Sequence, residues 1–161
     1  MLNLGKITLE LPISLVSEVN TIQLEAGNKP INQDWICFGF KDDISKLTTV
    51  INQLCTQIEL VNTDISSADD MINALTTKKL LPGAYTIKLG CETKMFRYII
   101  DKFSIYFTDL TLANIEKSAI FYSNQDKKNK PITQGNLSSS KKGVVEPKEK
   151  TTIDKIFKYL Q

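Results

Sequence analysis

The sequence predicts an α+β fold, a single compact domain over residues 1–124 with a mixed sheet and about three helices, followed by a flexible C-terminal tail. Three observations carry that prediction. Short runs alternating apolar and polar residues recur along the first two thirds of the chain, as half-buried strands require. Two longer segments repeat apolar residues at helical spacing behind acidic or serine caps. After Asn124 the composition changes: QDKKNKPITQGNLSSSKKGVVEPKEK holds too little apolar mass to offset the entropy of ordering it.

Taken in order, KITLELP alternates Ile7, Leu9 and Leu11 and ends at Pro12, which predicts a strand. TIQLEAG suggests a second, turned by Gly27 and the residues up to Pro30. DWICFGF, residues 34–40, is dense in aromatic and β-branched types and reads as an inner strand. The segment from Lys41 to Ile58 places Ile44, Leu47, Ile51, Leu54, Cys55 and Ile58 on one helical face behind Asp42 and Asp43. IELVN is a short strand. Ser66 or Ser67 then opens a helix with acids in its first turn and Lys78 and Lys79 in its last. Leu81, Pro82 and Gly83 make a turn before the strand AYTIKLG. Residues 95–109 fit either a helix or two strands around Asp101 and Lys102, and their aromatic and β-branched density favours strands. A helix capped by Thr108 or Asp109, with Leu112, Ile115, Ala119 and Tyr122 on one face, closes the domain. Residues 125–150 form a basic linker, and residues 151–161 an amphipathic anchor.

Composition narrows the chemistry. Histidine is absent, which removes the commonest general base, the commonest zinc ligand and every imidazole triad. Cys37, Cys55 and Cys91 are too widely spaced for a metal knuckle and read as small buried hydrophobes. Asp42 with Asp43 and Asp69 with Asp70 sit where helix caps are expected, so capping explains them before catalysis does. Trp35, Phe38, Phe40 and the aromatics from Tyr98 to Phe107 read as core before they read as a base-stacking platform. No metal site, cofactor or catalytic residue is expected. No apolar run approaches the roughly 20 residues of a membrane span, and the opening residues lack the order of a signal peptide. The expectation is an intracellular protein without membrane contact, cytoplasmic or nucleoid-associated.

Charge divides at Asn124. Residues 125–150 carry seven lysines against Asp126, Glu146 and Glu149, a balance of +4, residues 151–161 add +1, and residues 1–124 are left at −3. Lys127, Lys128, Lys130, Lys141 and Lys142 are candidate contacts to a nucleic-acid backbone, of the weak and sequence-independent kind. Arg97 is the only arginine, so a dedicated reader of phosphates or bases is disfavoured.

Beyond the linker, Ile153, Ile156, Phe157 and Leu160 return at i, i+3, i+4 and i+7 between Lys155 and Lys158. So short a helix is marginal alone and must order against its own domain, a membrane surface or a partner's groove. The stretch from Lys150 to Phe157 resembles the sliding-clamp-binding peptide of replication and repair proteins, the PIP box. Ile153 stands at its aliphatic position and Phe157 at its second aromatic, while Lys150 replaces the glutamine and Ile156 the first aromatic. The resemblance implies a non-enzymatic accessory protein in DNA replication or repair that docks on a sliding clamp through Ile153, Ile156, Phe157 and Leu160. The alternative is a structural or assembly component of a large particle such as a virion, its tail laced onto neighbouring subunits.

Overall fold

The computed structural model describes residues 34–125 and 127–161, which belong to one compact unit, Asp34–Gln161. The strands expected over residues 6–12 and 21–27 lie outside the described residues.

Residues 34–40 are extended, with Ile36 and Phe38 buried and Trp35 and Cys37 outside. They make bridges rather than the expected inner strand. Ile36 and Leu80 exchange two backbone hydrogen bonds of 2.9 Å, and Phe40 pairs with Phe107. Gly39 sits at φ +70° with Thr108 against its α-carbon, where any side chain would collide.

Helix α1, Ile44–Ile58, begins where the Asp43 carboxylate accepts the Ser45 N–H at 2.8 Å, and this bond holds that carboxyl below its ordinary pKa. Leu47, Val50, Ile51 and Leu54 face the core, and Glu59 ends the helix in the left-handed conformation. Helix α2, Ala68–Thr76, starts with a reciprocal capping box between Ser67 and Asp70. Both acidic pairs therefore lie at helix starts, as capping requires. Lys78 and Lys79 fall beyond the end of α2 rather than in its last turn, and Lys79 lies over the Trp35 ring.

The sheet is small. Strand β1, Ile87–Lys88, pairs in parallel with β2, Phe121–Tyr122, and single antiparallel bridges join Val61 to Leu89 and Tyr122 to Pro131. On the far side of β1 the buried Ser66 hydroxyl donates to the Thr86 carbonyl and accepts the Lys88 N–H, each at 2.8 Å.

Three expectations are corrected here. Residues 95–103 are not strands: α3 spans Thr93–Phe103 and buries Met95, Phe96, Ile99, Ile100 and Phe103, a pattern only a helical period explains. A 3-10 turn, Ser104–Tyr106, follows it. Helix α4, Leu112–Ser118, is capped by Thr111 and stops at Ala119, whose left-handed φ of +52° turns Phe121 and Tyr122 into β2 rather than a further helical turn. Residues 125–150 are not a linker, because α5, Gln134–Ser140, and the start of α6, Pro147–Phe157, lie within them. Ile132 and Leu137 are buried, enough to fasten the segment to α3 and α4.

Helix α1 packs against α2 on one side and against α6 and the terminal 3-10 turn, Lys158–Leu160, on the other. One core runs from Ile36 to Leu160. The fold is α+β, with six α-helices and one two-stranded parallel sheet among the described residues. No helix among them is long and apolar enough to cross a membrane.

Candidate functional site

The C-terminal stripe forms the helix its spacing predicts, yet Ile153, Ile156, Phe157 and Leu160 are all buried in the chain's own core. Phe157 meets Phe103 edge-on, ring centres 4.7 Å apart. Of the three coverings open to it, its own domain is the one the helix packs against: a helix of this length gains its stability from burying its apolar face, and that face is already covered. A polar latch lies beside it. Tyr98 donates to the Asp154 carboxylate at 2.7 Å, and Lys102 Nζ lies 2.6 Å from the same oxygen. Burial works against the charged Asp154, but the hydrogen bonds from Lys102 and Tyr98 outweigh it and hold the carboxyl below its ordinary pKa. The bond from Asp154 in turn raises Lys102. Burial, then the bond to Asp154, raises Tyr98.

Packing α6 onto α1 shapes the surface above it. A groove of about 270 Å³ lies between the 3-10 turn after α3 and the end of the chain, lined by Lys102, Ile105, Tyr106, Phe157 and Gln161. Ile105 on its wall is 68% exposed, and Tyr159, beside Leu160, is 56% exposed. The sequence signal for this surface is weak: Ile105 belongs to an aromatic-rich run that reads as core, and only its position after the last turn of α3 leaves it outside.

Lys127, Lys128, Lys130, Lys141 and Lys142 are all exposed, on the two flanks of α5. Lys130 lines a cavity of about 430 Å³ with Thr93, Ser123, Gln125, Asn136 and Ser139. Lys141 lines a second, of about 210 Å³, with Lys94, Arg97, Tyr98 and Ser140. Arg97 is structural: its Nε binds Asp101 at 2.9 Å and its Nη1 donates to the Leu137 carbonyl at 3.2 Å. That carbonyl belongs to the last turn of α5, where helix acceptors lack intrahelical donors and a cation suits the dipole.

The remaining candidates carry no chemistry of their own. Cys91 is buried, and burial pushes its thiol up to about 12, so it holds almost no thiolate at neutral pH. Burial also raises Cys55. Cys37 is exposed, a departure from the expected buried set, because alternation along residues 34–40 turns it away from Ile36 and Phe38. Phe38, Phe103 and Phe107 are core, Phe40 and Tyr98 are half-buried, and Trp35 lies at the surface under Lys79. Among the described residues no group of histidine, cysteine and carboxylate side chains is placed to hold a metal ion.

Residues 10–161 match the model of a family of unknown function, DUF6617, and the chain belongs to that family. No curated protein and no solved structure matches it.

Proposed function

We propose that this chain is a non-enzymatic protein-interaction factor that receives a protein partner at the end of the domain where the C-terminal segment packs, with an accessory role in DNA replication or repair as the finer form of the reading. The supporting observation is Ile105, 68% exposed on the wall of a groove that Tyr106 and Phe157 also line. Large apolar side chains left exposed beside a shallow apolar groove are the usual chemistry of interface anchors. The C-terminal residues then serve by building the surface. Docking Ile153 and Phe157 directly into a sliding clamp would require α6 to leave α1, so a clamp bound by the folded protein meets Ile105 instead.

The test is a titration of purified sliding clamp, alongside affinity capture of partners, with full-length protein and its Ile105→Glu variant. The substitution lies at the surface and should change stability by no more than about 0.5 kcal/mol. It is expected to weaken partner binding at least about tenfold, or 1.4 kcal/mol. Undiminished capture by the variant sinks this surface. Recovery in fixed stoichiometry with a large particle, with no clamp binding, moves the reading to an assembly component that uses the same end of the domain.

A further inference from the structure

The positive charge of the second part of the chain is a fixed surface. From Lys127 to Val145 the sequence has five lysines and no acidic residue, and α5 in the middle of that stretch is fastened to α3 through Arg97 and to the core through Leu137. The lysines are therefore displayed at defined places on either side of one short helix, Lys127, Lys128 and Lys130 before it and Lys141 and Lys142 after it. The cavity on the first side is also lined by the amides of Gln125 and Asn136, while the Ser139 hydroxyl already donates to the Gly135 carbonyl at 2.9 Å and the Thr93 and Ser123 hydroxyls bond to each other at 3.3 Å. The cavity on the second side is lined by Lys141 together with Lys94, which pairs with Glu92 at 3.1 Å, and by Asp101, which pairs with Arg97.

We propose that α5 and its flanking loops bind the phosphodiester backbone of nucleic acid without regard to sequence, a function separate from the protein-docking end of the domain. The composition of the face selects this ligand. Lysines with amide donors beside them suit phosphate oxygens, which take point charges and single hydrogen bonds from many directions. Bidentate recognition of either a phosphate or a carboxylate would call for arginine forks, and the single guanidinium is committed to Asp101 and the Leu137 carbonyl, so this face acts through the point charges of its lysines. Base reading is not provided for: Tyr98, the aromatic residue lining the second cavity, has Lys102 and Lys150 over its ring. Affinity on such a face comes from displaced counterions and falls steeply with salt.

The experiment is fluorescence anisotropy of labelled random-sequence single strands and duplexes with the full-length protein, at 50 and 200 mM salt. Binding is expected at the lower salt and should weaken about tenfold at the higher for two phosphate contacts, more for each further one. Replacing Lys127, Lys128, Lys130, Lys141 and Lys142 by Gln should abolish it, with circular dichroism showing the variant still folded at the temperature of the assay. The paired control, Lys78→Gln with Lys79→Gln near Trp35, should leave binding intact. The single-strand and duplex arms distinguish the form of nucleic acid bound. No binding at 50 mM salt overturns the proposal, as does equal loss in the Lys78 and Lys79 control. Tighter binding of polyglutamate than of either nucleic acid also overturns it and assigns the face to an acidic protein.

Discussion

Ser66 stitches the second edge of β1. Among the described residues that edge meets only the single Val61–Leu89 bridge, and the buried hydroxyl satisfies both Thr86 and Lys88 there, while the Asn62 N–H reaches the Lys88 carbonyl at 2.8 Å. Ser66→Ala leaves the part-buried Lys88 N–H and Thr86 carbonyl without that partner and should lower stability by about 0.5–1.5 kcal/mol in denaturant unfolding. A loss below the error of the measurement would mean that water replaces the hydroxyl. Nothing in the sequence marks this role. A serine next to Ser67 and before an apolar run reads as a helix cap, because capping is local, whereas a hydroxyl inserted beside a strand 20 residues later is not. Arg97 was legible only by exclusion: its solitude argues against phosphate reading, and its actual duty, closing the end of α5, depends on a contact 40 residues away.

Between elements, the Tyr98, Lys102 and Asp154 cluster joins α3 to α6. Its pH dependence follows from the directions of the shifts. Asp154 is held below its unfolded value, so its contribution is complete above the ordinary carboxylate range and is lost as pH falls through the folded value. Lys102 is raised, so its contribution is complete below the ordinary lysine range and is lost as pH rises through the folded value. The cluster is at full strength across neutral pH. Asp154→Asn should cost about 0.5–1 kcal/mol there, a modest figure because the pair is partly solvated and screened. The difference from the parent protein should shrink toward pH 3 and in 1 M salt when melts are compared, and a constant difference would assign the loss to packing. Legibility varied among elements for physical reasons. Helices α1 and α2 carry local cap chemistry and could be read directly. Helix α3 could not, because Phe96, Ile99 and Phe103 fit a helix while Phe96, Tyr98 and Ile100, then Phe103, Ile105 and Phe107, fit two strands, and aromatic density tips the balance the wrong way. Helix α5 buries Leu137 alone, too little for any periodicity to show.

At the level of the whole molecule, the charge divide near Asn124 is real in the sequence but does not coincide with a boundary of the fold. The hydrophobic core crosses it through Ile132, Leu137, Ile153, Ile156, Phe157 and Leu160. The stripe was legible as an apolar helical face; its destination was not, since spacing gives the face of a helix and not what covers it. Ile153→Ala with Phe157→Ala should cost several kcal/mol, at about 2–5 for each buried side chain, a large share of the 5–15 typical of a domain. Circular dichroism melts test this, and an unchanged midpoint would restore a detachable anchor. The packing of α6 on α1 also governs how the protein reaches its native state. Between the end of α1 and the start of α6 lies a loop of about 90 residues, whose closure costs entropy before the contacts of Phe157 and Leu160 can repay it. High contact order of this kind slows folding. The last helix to be synthesised in this sequence is then also the one that seals the core, and a chain halted before Ile153 exposes the apolar face of α1 to whatever chaperone or protease meets it first.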